Sequence, residues 1–552
     1  MQSSLPRFFL IASTLALAVS LAAPAHAQHE GHDAGMVGWV PREILERPVP
    51  LREGVGILHD PVTTPSPQAQ AFYDQGLAYL HSFVWIEAAR SFNQALRLDP
   101  KLAMAYVGLS DAYVGLADAP SAHAMLDQAQ SLADTVTEIE RRKIEIHGLL
   151  LAWLDDSDLQ KYFTYRTAIT AAITVSPNDP WLWIQRGFAE EGSPHAHGQN
   201  GGPDTIAFYE AALALAPDEF AAHHYLAHTF ETIGRRQDAL AQSEIYVRMA
   251  PAIAHAHHMH GHDLRWTGRT EEAIAEFERA EELEENYYLS ENIAARYDWH
   301  HFHNLSLLAM CYQTLGQMKS AERVFHTAFE LPVYNDVAEF NRRNWPEFLL
   351  GRGRYEEALS AAQELANGKW PMGRFAGRTM AGRALLRLNQ VDAAQSELAL
   401  AERELESVPS TVAAELPDPG LLNAEILLRQ GQVEKSNMLL RDIEKKIRAV
   451  PGPDSWSEAL FQLDSIASIA RDAGDWDLAE FTAHQIIEHD PSYAGGYYAL
   501  GLIYEHRGEQ TAAREQFAHA EKSWFKADAE MPELVRLRQR LAAPPQGVST
   551  PN

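Results

Sequence analysis

From residue 68 onward, small and large apolar positions return with a period of 34 residues. Gly76, Ala88, Phe92, Ala95 and Pro100 mark one unit, and the same frame fits Tyr497, Leu500, Gly501, Tyr504, Gly508, Ala513, Phe517 and Ala520. It fits again at Gly234, Ala239 and Pro251, with further units anchored on Ala122, Ala273, Ala321, Ala358, Ala394 and Ala479 and weaker ones near Tyr165 and Ser436. The spacing predicts pairs of packed helices. Small residues let the two helices approach, large apolar ones fill the gap, and proline ends the second helix. The expected fold is all-α, with about eleven or twelve helix pairs over 68–543 and a solvating cap at Glu521 to Leu541. Two segments break the period, Gly192 to Pro203 and Glu284 to Tyr297, and such breaks map to loops on one face of a solenoid.

On these residues the chain resembles the tetratricopeptide-repeat family. The resemblance implies a right-handed superhelix whose concave wall is lined by the first helix of each pair, and a ligand recognised there. The stretch from Trp181 to Leu350 is also similar to a group of exported bacterial tetratricopeptide proteins, through the runs AAHHYLAHTFE, APAIAHAHHMHGHDLRW and YDWHHFHNL. That likeness implies a site and no particular reaction.

The ends of the chain read differently. Arg7, an apolar run from Phe8 to Ala23 and the small-residue stop Ala25-His26-Ala27 predict a signal peptide over 1–27, cleaved after Ala27, and so a periplasmic or secreted protein. Residues 28–67 are an extended leader rich in His, Pro and Gly, and 544–552 a disordered tail. After cleavage no stretch approaches the roughly 20 apolar residues of a spanning helix, so no membrane insertion is expected. A formal charge of -29 argues against nucleic acid as a partner, because counterion release needs basic patches. The single cysteine, Cys311, excludes an internal disulfide and falls in an apolar helical pattern, as a buried thiol does.

Histidine changes the picture. Thirteen of the 25 histidines lie between His195 and His303, within the His-rich central repeats at 180–335. His224 with His228, and His258 with His262, are four residues apart and occupy the same repeat positions in two consecutive units. One turn of helix puts each pair on one face as chelating pairs, and adjacent first helices bring the two pairs toward one another. His303, in the next unit, is a further candidate ligand. Glu190, Glu191 and Asp298 are candidates for a carboxylate ligand or base, and His255, Arg265 and His300 for ligand contacts. Imidazoles with a carboxylate match copper, zinc or iron and not calcium or magnesium. His223 and His257 take a packing position and are expected to be structural. His29, His32 and Met36 are candidates for weak copper binding, His195 and His197 lie in a Gly-rich loop placed to close over the groove, and the Arg342–Arg343 pair is a candidate carboxylate anchor.

The sequence lacks an HExxH helix, a GxSxG elbow, a phosphate-binding glycine loop and a CxxC pair, so hydrolytic or nucleotide chemistry has no local support. The leading expectation is an exported binding protein whose groove takes a protein, peptide or small ligand through a histidine-bound transition metal. Its rivals are a metalloenzyme with an open coordination position and an assembly scaffold whose histidines only pack.

Overall fold

The computed structural model describes residues 40–191, 198–333, 336–408, 413, 416, 418–450 and 452–543. These residues contain helices and no strand, and the helices run as twelve consecutive antiparallel pairs from Pro67–Leu80 with Trp85–Leu98 to Ala494–His506 with Gln510–Ser523. A last helix, Pro532–Ala542, has no partner of its own and buries Leu534 and Leu537 as the cap.

Local chemistry starts and stops the helices. Ser66, Asp118 and Asp179 accept from backbone N–H groups at the first turns of their helices, each of which also carries an early proline, and Thr137 with Glu140 closes a reciprocal capping box. First helices end on a left-handed residue, and glycine takes that place at 234, 268, 316, 353, 431, 474 and 508, with φ between 74° and 82°. The 34-residue frame has a steric reason as well. A Cβ added at Gly76 would stand 2.5 Å from the Phe92 ring, and one at Gly108 would stand 2.4 Å from it, so one aromatic ring fills the space that two glycines leave. Gly501 with Phe517 and Gly187 with Tyr209 repeat the arrangement at 2.4 Å.

The second expected interruption is helical. Thr270–Glu291 continues unbroken through Glu284, and its added turns carry Tyr287 to Glu87 and Glu291 to Arg90 in the first unit. The first interruption, with His195 and His197, lies mostly outside the described residues, as do the signal segment, His29, His32 and Met36.

The array also folds back on itself. Arg265 pairs with Asp490, Arg352 with Glu533, and Asp528 N–H donates to the Gly316 carbonyl, so C-terminal units sit against central ones. From the other side the leader lies over the central repeats, where the Gly54 carbonyl accepts from Ala252 N–H. These contacts enclose the wall that was expected to be an open groove.

Candidate metal centres

The first helices of three consecutive units, Phe220–Thr232, Ala254–Trp266 and Trp299–Thr314, carry the central histidines. The two chelating pairs do not converge on one point. Each takes a third histidine instead, giving His224, His228 and His255 in one set and His258, His262 and His303 in the other, with the ligand atoms of each set within 4.8 Å of one another. Two separate three-histidine groups thereby stand where one four-imidazole site was expected.

In the first set, His224 Nε2 lies 3.1 Å from His228 Nε2 and 3.0 Å from His255 Nε2. Both separations are hydrogen-bond distances, a little under the about 3.3 Å between ligand nitrogens around a tetrahedral ion at 2.0–2.1 Å. The opposite edges of the rings fix the tautomers. His224 Nδ1 is 2.7 Å from the His81 carbonyl, which only accepts, so Nδ1 carries the proton and Nε2 the lone pair. His228 Nδ1 lies 3.2 Å from Glu231 Oε2, the carboxylate–histidine pairing that supports a metal ligand. All three side chains are buried, His224 wholly so. Burial, with the neighbouring His228, pulls the His224 pKa well below the ordinary imidazole value and keeps the ring neutral.

The second set is built by the same logic with a different outer partner. Asn304 Nδ2 donates to the Phe277 carbonyl, which orients its amide and leaves Oδ1 to accept from His258 Nδ1 at 3.1 Å. His258 Nε2 then presents a lone pair in a fully buried position with no hydrogen-bond partner. His262 Nδ1 is 3.4 Å from Glu231 Oε1, and its Nε2 is 3.0 Å from Asp454 Oδ1, while His303 Nε2 is 3.5 Å from Asp454 Oδ2. Three imidazoles and one carboxylate make a mixed nitrogen and oxygen set of the kind zinc and iron take. Burial lowers the pKa of His258 strongly. Burial also opposes the charge on His262, but Asp454 and Glu231 outweigh it and hold that group up to about 10.

Glu231 touches both sets, through His228 and through His262, and those hydrogen bonds hold its carboxyl below the usual range in spite of burial. Beside it, burial and the Glu231 charge push Asp263 well up. His300 lies between the sets, with ring centroids 5.1 Å from His255 and 4.4 Å from His258, and Glu284 accepts from Nδ1 of both His300 and His301. Seven histidine rings therefore form one continuous cluster.

The remaining sequence candidates sit elsewhere. Glu190 is tied to Arg166 and Arg186. Glu191 accepts from Gly198 N–H and Tyr209 O–H, and burial lifts it to about 8. Asp298 caps the Trp299–Thr314 helix through His300 N–H and accepts from Tyr288. Arg265 is buried in its pair with Asp490 and stacks over Trp456. Arg343 pairs with Glu458, and Arg342 donates to the Phe329 carbonyl. His223 and His257 bond Gln242 and Glu276 on their units' second helices, and Cys311 is buried with its thiol pushed up to about 12. Asp454, the His81 carbonyl and Asn304 were not foreseen. Glu231, three residues after His228 on the same helix, carried a local signal.

A cavity of about 500 Å³ opens beside the first set, with His255 and His300 in its wall. Phe83 lines it too, and its ring centroid is 4.8 Å from His224 and 5.2 Å from His255. Among the described residues no helix is long and apolar enough to cross a membrane.

Fold and site together define an all-helical solenoid of helix pairs with a buried histidine cluster at its centre. No protein-family model matches the sequence, and no curated protein does. Solved structures similar to it include a tetratricopeptide repeat protein from Parabacteroides merdae, at 14% identity over 51% of this chain and 98% of that one, with a TM-score of 0.34. Yeast Tom70 is similar at 13% identity over 86% and 95% of the two chains, with a TM-score of 0.33. The human IFIT1 dimer with m7Gppp-AAAA is similar at 12% identity over 91% and 96%, with a TM-score of 0.34.

Proposed function

We propose that this chain is an exported metal-binding solenoid that holds two transition-metal ions, one in each three-histidine set, and presents the first of them to a ligand bound inside the array. The observation that carries the reading is the approach of His228 Nε2 and His255 Nε2 to His224 Nε2, at 3.1 and 3.0 Å, with His224 held by a backbone carbonyl in the tautomer a metal ligand needs. Copper or zinc suits the all-nitrogen set, and zinc or iron the set with Asp454. A catalytic version of this function rests on one feature, the place of His255 in both the ligand set and the cavity wall.

Metal analysis of protein purified without a histidine tag is the test. Two ions per chain are expected, falling to one in His255→Ala and to one in His258→Ala. A wild-type protein that retains no ion after incubation with copper, zinc or iron leaves only the scaffold. Export is tested by mass spectrometry of the mature protein, with Gln28 or its cyclised form expected at the N-terminus.

A further inference from the structure

The cavity beside the first set has a chemistry of its own. Six aromatic side chains line it, Tyr79, Phe83, Trp85, Tyr287, Tyr297 and Trp299, and the charges at its wall, apart from the exposed Glu53, are already matched. Arg52 is paired with Glu291, Glu87 with Arg90 and the Tyr287 hydroxyl, Glu284 with His300 and His301, and Asp298 with the Tyr288 hydroxyl. An anionic ligand entering this space would give up water and find Arg52, the one Arg or Lys in the wall, already paired. A flat, neutral ring meets ring faces and edges on several sides. The volume is in the range of pockets that take small organic molecules.

Phe83 adds a second, independent observation. It holds a left-handed backbone with φ of 59°, a strained state for a bulky side chain. Its amide bonds the Leu80 carbonyl and the next amide bonds that of Tyr79, the same turn that closes other first helices on Gly234, Gly268, Gly316, Gly353, Gly431, Gly474 and Gly508. Phenylalanine therefore stands where seven other units use glycine and three more use the smaller Ala117, Ser157 and Asn389. What it gains there is a ring laid over His224, His228 and His255 on one side and facing the cavity on the other.

We propose that the cavity is a binding site for a small neutral aromatic molecule, and that Phe83 is the wall that sets how close this molecule comes to the first histidine set. The second half of the proposal rests on the metal reading above; the first half does not. The probe is 1-naphthol, titrated by calorimetry into the metal-free full-length chain. Saturable binding of one naphthol per chain is expected, with 1-naphthoate weaker by about tenfold or more because its carboxylate must be desolvated without a partner. Asn286 is exposed at the rim of the cavity, so Asn286→Trp plugs the entrance without disturbing the core and is expected to abolish binding while the helical circular dichroism is unchanged. No saturable naphthol binding, equal affinity for naphthoate, or undiminished binding in Asn286→Trp overturns the ligand site. In cobalt-loaded protein, naphthol is expected to leave the visible cobalt bands of the wild type in place and to shift those of Phe83→Gly. An equal response in the two overturns the role of Phe83. If no cobalt is taken up, the metal reading fails by itself, while the metal-free titration still decides the ligand site.

Discussion

Asp454 Oδ1 lies 3.0 Å from His262 Nε2, although the two residues belong to helices that are far apart in the sequence. The Pro453–Ala473 helix packs across Ala254–Trp266 and delivers the carboxylate from its first turn, where it also faces His303. Asp454 thus reaches the second set from outside the repeats that carry its histidines, as the ion-pair partner of His262. Asp454→Asn is expected to weaken the second ion about 10- to 100-fold and leave the first unchanged. Competition with a chelator of known affinity, read as two separate release steps, measures both. Equal weakening of the two ions would remove Asp454 from the ligand set.

The histidine pairs were legible because both members lie on one helix, where a spacing of four fixes a common face without any knowledge of the fold. His303 followed from the repeat frame, whereas His255 was read as a ligand contact and not as a member of the metal set. Asp454, the His81 carbonyl and Phe83 were not legible. Each comes from a unit that is not a sequence neighbour, and its approach depends on small rotations between units that accumulate along the array. The glycine period predicted where first helices end, but a phenylalanine in that turn reads as an ordinary departure until its ring is seen on the histidines.

Acid should destabilise the protein through histidines outside the two sets. Burial pulls His147 down to about 4, and its Nε2 lies 2.8 Å from Ser110 Oγ. A folded-state value below the unfolded one of 6.5 means that the contribution is complete above pH 6.5 and is lost as the pH falls toward 4. The expected loss from this residue is on the order of 3 kcal/mol over that window. Urea unfolding at pH 7, 5.5 and 4.5 should show His147→Gln, whose amide still reaches Ser110, with a flatter pH dependence than the wild type. Parallel curves would contradict the assignment.

The Arg265–Asp490 pair is buried at 2.8 Å, with Ser492 also donating to Asp490. Removing one partner strands the other charge, so Asp490→Ala should cost about 3–5 kcal/mol, and Arg265→Met combined with Asp490→Leu should restore most of it. Metal content should be unaffected throughout. Chemical denaturation of the single and double variants, with metal analysis on the same samples, checks both statements. A loss of metal at unchanged stability would return Arg265 to the ligand-contact role that its sequence position suggested.

Glu231 separates a coupled pair of centres from two independent ones. Its Oε2 lies 3.2 Å from His228 Nδ1 in the first set and its Oε1 3.4 Å from His262 Nδ1 in the second, so one carboxylate orients a ligand of each. Glu231→Gln keeps the shape but replaces one acceptor oxygen with an amide that donates, and at most one of the two imidazoles can still donate to the side chain. The substitution is therefore expected to lower affinity about 10- to 100-fold at one set through loss of support, and by less at the other through loss of charge. His255→Ala and Asp454→Asn, by contrast, should each act on a single ion. Because a ligand that binds only the folded state raises the melting temperature, chelator-treated and metal-loaded samples of Glu231→Gln should melt closer together than those of the wild type. If Glu231→Gln retains both ions with wild-type affinity and the full metal-dependent rise in melting temperature, the carboxylate is a packing element and the two sets act alone.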